Sequence, residues 1–243
     1  MQGIKLAAIY SYPPSSLHLC GVQNPQTVNI LNDYLSENNI DEKGVRQVLR
    51  QFEAAYPYYE LIAKINGIGD PLSFEVVEAY WLGNDLLNQV TKKDLQELIF
   101  NQFQRPGLLS AKDARKRANE VPEKAIPHHS FHVLILGSVT GRVQFQGKLY
   151  DLCCVNSAEV IEVKKASLKV KRSPLAVKDG KFVFQKSKEQ TIDWSQKILP
   201  KIKVGNIVST HWNQACQIIS PDKAKEISRY TQINIEAVNS RSK

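Results

Sequence analysis

Apolar residues recur at helical spacing through the first half of the chain and alternate in short runs through the second. Val28, Leu31 and Leu35 fall on one face of a helix. Val45, Val48, Leu49, Phe52, Ala55 and Tyr56 repeat the pattern, followed by Leu61, Ile62 and Ile65. Pro57 lies inside this stretch and predicts a break, because it lacks an N–H and crowds the preceding turn. Asp70 and Pro71 read as the N-cap and first residue of a third helix running through "FEVVEAYWLGNDLLNQV". Thr91 and Asp94 read as a capping box before a fourth, and "SAKDARKRANEV" as a short charged helix.

After Pro122 the runs shorten. "HSFHVLILGSV", "GRVQFQGKLYDLCCV", "AEVIEV", "ASLKVKR", "GKFVFQK" and "VGNIVSTHW" are rich in β-branched and aromatic residues, with glycines between them. Ser220, Pro221 and Asp222 then open a final helix. The predicted architecture is α+β. An all-helical domain (residues 1–124) precedes a small antiparallel OB-like β-barrel with a basic insertion and a C-terminal helix (residues 125–243).

Charge changes this picture in one place. The net charge is +8, but Lys164 to Lys203 holds twelve Lys and Arg against three acidic residues, so the rest of the chain is nearly neutral. Lys169, Lys171 and Arg172, with Phe182, Phe184 and Trp194 nearby, would suit a nucleic-acid backbone. A solvated hairpin guarded by lysines is the plainer reading of the same segment. No apolar run approaches the roughly 18 residues of a membrane span, and the opening "MQGIKLAAIY" is too short for a signal peptide. The expected setting is cytoplasmic, away from membranes. Four cysteines without C-x-x-C spacing argue against a disulfide framework or a structural zinc cluster.

The run Gly205, Val208, His211, Ala215, Ile219 and Ala224 resembles the C-terminal signature of HypC/HupF-type chaperones. These are small barrel proteins used in maturing nickel–iron hydrogenases. "GRVQFQGKLYDLCCV" is similar to an earlier strand pair of the same family. The resemblance implies a chaperone or accessory role without catalysis, an iron unit as cargo, and a metalloenzyme client or maturation protein as partner. That family carries a ligand cysteine directly after its initiator methionine, and nothing equivalent precedes the barrel here. The N-terminal half, with "YSYPPSSLHLCG" and "VVEAYWLGNDLL", is similar to an uncharacterised bacterial family of unknown function.

Candidate chemistry gathers on histidine and cysteine. On the strand alternation His211 lies on the face opposite Val208, pointing outward or toward the helical domain. There it would meet His128, His132 or Cys20, with Trp212 beside it as a binding residue. If "PHHSFH" is a strand, His128 and His132 share a face but lie roughly 13 Å apart, at about 3.3 Å per residue, and cannot chelate alone. His129 then faces the other way, and Cys153 and Cys154 read as core. Cys20, in a loop after Pro13 and Pro14, is the candidate to stand in for the missing ligand cysteine. There is no Gly-rich phosphate loop, no G-x-S-x-G and no H-E-x-x-H. A nucleic-acid-binding protein and a small-molecule enzyme acting at the domain junction stay open as alternatives.

Overall fold

The computed structural model describes residues 2–21, 24–37 and 41–241. The apolar opening stretch forms α1 (Gly3–Ser16), whose Leu6, Ala7, Ala8 and Tyr10 are completely enclosed. A helix apolar on every side belongs inside a core, and α1 packs against three later helices and a strand. α2 (Pro25–Leu35) is capped by the Asn24 side chain and buries Leu31 and Leu35. The expected break separates α3 (Glu42–Arg50) from α4 (Tyr56–Ile65), with Pro57 in the first turn of α4.

α5 (Phe74–Leu82) starts after Ser73, not at Asp70. Asp70 instead accepts from the Leu72 N–H and pairs with Arg46 at 2.9 Å. Nor does this helix run on to Val90. It stops at Gly83, which has φ +85°, and Asp85–Gln89 form a separate 3-10 turn. α6 (Lys92–Leu98) begins with a complete capping box between Thr91 and Asp94, and α7 (Ala111–Asn119) is the charged helix.

Two segments read as strands are helical. α8 (His129–Phe131) runs into a π-helical turn, His132–Leu136, and α9 (Leu149–Cys153) is a single turn. Every residue from His128 to Leu136 is buried. With no solvent face the run carries no alternation, and a short continuous apolar run does not distinguish strand from buried helix. Cys153, Cys154 and Val155 likewise belong to the core shared by the helices.

The remaining strands are β1 (Asn156–Val163), β2 (Ser167–Arg172), β3 (Leu175–Lys178), β4 (Lys181–Phe184), β5 (Lys188–Asp193), β6 (Ile207–His211) and β7 (Gln214–Ile219). Five of them close into a ring in the order β1-β2-β5-β7-β6, and β3 with β4 forms a separate hairpin. The ring is antiparallel except where β5 meets β7, through the single parallel pair Asp193 and Gln214. The basic segment is therefore not one insertion: β2 and β5 are strands of the ring, and only the β3–β4 hairpin leaves it. Ala158, Val160, Leu168, Val170, Ile192, Val208 and Ala215 fill the interior at every second position.

α10 (Pro221–Asn239) starts at the Ser220 cap and packs across α5, α8, β1 and β6. Two cores thus lie side by side. The larger runs through the helices, residues 131–155 and α10, and the smaller fills the ring. β6 is the shared wall. Val208 faces the ring, while Ser209 and His211 face α1, where the Tyr10 hydroxyl and Ser209 hydroxyl lie 2.5 Å apart.

Candidate metal centre

His129, Cys153 and His211 meet at this wall, each delivered by a different element. All three are buried, and one ligand atom from each lies within 4.8 Å of the others. α9 presents Cys153 at its C-terminal end. Its placement is fixed by Asp151, which pairs with the buried Arg172 guanidinium and accepts from the Leu175 N–H at 2.7 Å. β6 presents His211, and the buried turn at the start of α8 presents His129.

Hydrogen bonding fixes the tautomer of His211. Its Nδ1 lies 2.8 Å from the Tyr10 carbonyl oxygen, so Nδ1–H donates. Its Nε2 then carries the lone pair, and that atom is buried without a hydrogen-bond partner. Burial pushes the imidazole down to about 4, against the opposing pull of the Tyr10 carbonyl, so the ring is neutral.

His129 sits in a chain with one proton too few. Its Nε2 lies 2.9 Å from the Cys153 carbonyl oxygen, its Nδ1 lies 2.9 Å from the Tyr80 hydroxyl, and that hydroxyl lies 2.8 Å from the Ala54 carbonyl oxygen. A neutral imidazole and a tyrosine bring only two hydrogens to these three contacts. An imidazolium would supply the third. Burial first, and the neighbouring His211, His132 and His128 next, push His129 well below its ordinary range and keep it neutral. With Nε2–H donating to the Cys153 carbonyl, the Tyr80 hydroxyl cannot serve both Nδ1 and Ala54. In the other tautomer Tyr80 donates to Ala54 and His129 Nδ1–H donates to Tyr80, and Nε2 would offer its lone pair to a cation in place of its contact with the Cys153 carbonyl. Ligating histidines commonly hold their second nitrogen this way, through a hydrogen bond to an orienting group.

Cys153 Sγ lies 3.8 Å from His129 Nε2. Burial, followed by Cys154 and Cys20, pushes this thiol well above its usual range, so it keeps its proton until a metal displaces it. Two imidazoles and a thiolate suit zinc, iron, copper or nickel and are poor ligands for magnesium or calcium. Donors on a tetrahedral ion with bonds of about 2.0–2.3 Å lie about 3.3–3.7 Å apart, so the three groups need close in by only about an ångström. The residues present fit such an ion.

Aromatic rings hold the set in place. The Trp81 ring lies 4.4 Å from His129 and 5.2 Å from His211, and its indole N–H donates to the Tyr59 hydroxyl at 2.5 Å. A small cavity of about 40 Å³, partly open to solvent, is lined by all three residues and by Trp81 itself. Trp212 lines it from the β6–β7 turn, where Trp212 (φ +49°) and Asn213 (φ +62°) both adopt left-handed backbone. A bulky residue rarely holds that conformation, and strain of this kind collects at functional sites.

The sequence-predicted residues divide. His211 faces the helical part, as one of the two expected directions had it. Cys20 lines the cavity but stands outside the three-donor group, its thiol pushed up to about 12 by burial and then by Glu53. His132 also lines the cavity, with Nδ1 3.3 Å from the Tyr58 hydroxyl. His128 is not among the lining residues; it caps α8 and contacts the Ser130 hydroxyl at 2.8 Å. His129 and Cys153 are the donors that sequence reasoning passed over, one as facing away and the other as core. A helical reading of "PHHSFH" is the signal that could have turned His129 toward His211.

On the basic segment, Arg172 is buried and committed to Asp151 and Gln190, so it is not available to a polyanion. Lys169 pairs with Glu189 at 2.6 Å, and Lys171 is exposed.

Over its whole length, residues 1–243, the chain matches a family of unknown function (DUF6390), and it belongs to that family. No curated protein and no solved structure matches it. These comparisons lend no support to the HypC/HupF resemblance. Among the described residues no helix is long and apolar enough to cross a membrane.

Proposed function

We propose that the protein binds one transition-metal ion through His129 Nε2, Cys153 Sγ and His211 Nε2, and serves as an accessory protein that holds and hands on that metal. The carrying observation is the convergence of three buried donors, one of them the unpartnered lone pair of His211. A buried polar atom without a partner is costly, and a metal ion would remove that cost at His211. The closed ring of strands is read as an OB-like barrel whose wall supplies one ligand. The resemblance of residues 204–230 to hydrogenase-maturation chaperones supports iron as the first metal to test and a hydrogenase-type client. A cavity open on one side suits a carrier, because a partner reaches the metal without the protein unfolding.

Anaerobic purification followed by metal analysis tests the reading. The wild type should carry close to one equivalent of iron, zinc or a neighbouring metal after loading. Cys153→Ser and His129→Gln should each lose it while keeping the native near-ultraviolet circular dichroism. Metal content unchanged in both variants would overturn the site, and metal binding without any co-purifying metalloenzyme subunit would remove the accessory role.

A further inference from the structure

Charge balance at the same centre points to what else binds there. His129 and His211 give lone pairs and so enter as neutral ligands, while Cys153 gives up its proton and enters as a thiolate. A divalent ion in this set retains one uncompensated positive charge. Buried charge is stable only when paired. The described residues lining the cavity include no Asp, Glu, Lys or Arg, so they offer no carboxylate to balance the ion and no cation to compete with it.

The cavity lies against all three residues, so a fourth ligand would reach the ion from it. Phe52, Val139, Val143 and Phe145 also line it, an apolar surface that would strip water from whatever enters. A single polar group stands out there. Ser11, only 2% exposed, lines the cavity, and its hydroxyl is buried without a hydrogen-bond partner. An orphaned hydroxyl on the lining of the cavity that the donor residues also line is a donor suited to an anion held there.

We infer that the metal keeps one coordination position for a small monoanion of the azide, cyanide or thiocyanate class, which enters through the cavity and accepts a hydrogen bond from Ser11. The inference rests on the metal site proposed above. The step is a ligand substitution: the bond from metal to water breaks, the bond from metal to anion forms, and no electrons are transferred. The proton of Cys153 has already left when the metal is loaded. Among the described lining residues, the Cys20 thiolate is the rival that would balance the charge equally well, while His132 would enter as a neutral ligand.

Cobalt(II) loading separates these cases, because its visible bands and thiolate charge-transfer band report the ligand set. The full-length protein should take up cobalt with the intensity of one thiolate. Sodium azide should then shift the visible bands saturably and one-to-one. Ser11→Ala should weaken azide binding about tenfold, the effect of losing one hydrogen bond to an anion, with cobalt affinity unchanged. Cobalt bound with no azide response, or an azide response only in Cys20→Ser, overturns the inference and leaves the metal site standing. An unchanged azide affinity in Ser11→Ala overturns the role of Ser11. Failure to take up cobalt overturns the metal reading itself.

Discussion

Four histidines are enclosed in this protein without a carboxylate to charge them, and that fixes how the fold answers to acid. Burial lowers His128 and His132 to about 3 and His211 to about 4, and pushes His129 in the same direction. In the unfolded chain all four return to about 6.5. Between those values the unfolded state binds more protons than the folded one, so stability rises with pH. The contribution is complete above about pH 6.5 and is lost as the pH falls toward 4 and then 3. His211 alone accounts for roughly 3 kcal/mol of it. In EDTA-treated protein the urea midpoint should therefore drop steeply from pH 6.5 to 4. A flat midpoint over that interval would mean that the imidazoles reach water. The residues concerned were only half legible in the sequence. His211 stood out because strand alternation set it apart from Val208. The groups around it did not, because the carbonyl of Tyr10 that it meets, and the hydroxyl of Tyr80 that meets His129, come from positions far away in the chain, and spacing carries no trace of them.

Gly83 shows how one element is tied to another. It ends α5 with φ +85°, and a Cβ there would sit 2.1 Å from the Tyr230 ring on α10. Gly83→Ala should cost more than about 2 kcal/mol, since left-handed strain and a ring collision act together. Chemical denaturation would measure it, and a change within about 0.5 kcal/mol would mean that α10 shifts freely over α5. Elements with a solvent face were legible in the sequence: α2, α3, α6, α7, α10, β1, β2 and β6 all carry caps or clear periodicity. Those without one were not. α8, the π-helical turn and α9 lie in the larger core, where burial on every side erases the difference between period 2 and period 3.6. Two of the three proposed donors, His129 and Cys153, lie in that unreadable stretch, which is why the site was seen from the His211 side only. β4 was legible in "GKFVFQK", but the docking of its hairpin was not: Leu175 is buried in the larger core, Phe182 and Phe184 pack against it, and Asn239 exchanges two hydrogen bonds with the Phe182 backbone.

At the scale of the whole molecule, the change in sequence character near Pro122 does not coincide with a change in packing. Phe131, Val133 to Leu136, Cys153 to Val155, Ile227, Tyr230 and Ile235 share one core with α1, α4 and α5. Asn234 on α10 binds both the N–H and the carbonyl of Ile126, and also the Ser130 hydroxyl. A fragment of residues 1–124 would lack all of these groups. The aromatic face formed by Tyr58, Tyr80, Trp81 and Phe103 would then be left open to water. Burying one such side chain contributes about 1.5–3 kcal/mol, and a domain holds only about 5–15 kcal/mol in total, so losing several contacts of this kind removes the margin. Residues 1–124 expressed alone should therefore show helical far-ultraviolet dichroism at most, with no near-ultraviolet signal and no cooperative thermal transition. A sigmoidal transition with fixed aromatic signals would show instead that the helical half folds by itself. In that event the metal centre would join two independent domains. On the packing described, it is a seam within a single folding unit, and loading the metal should raise the one unfolding transition of the intact chain as a whole.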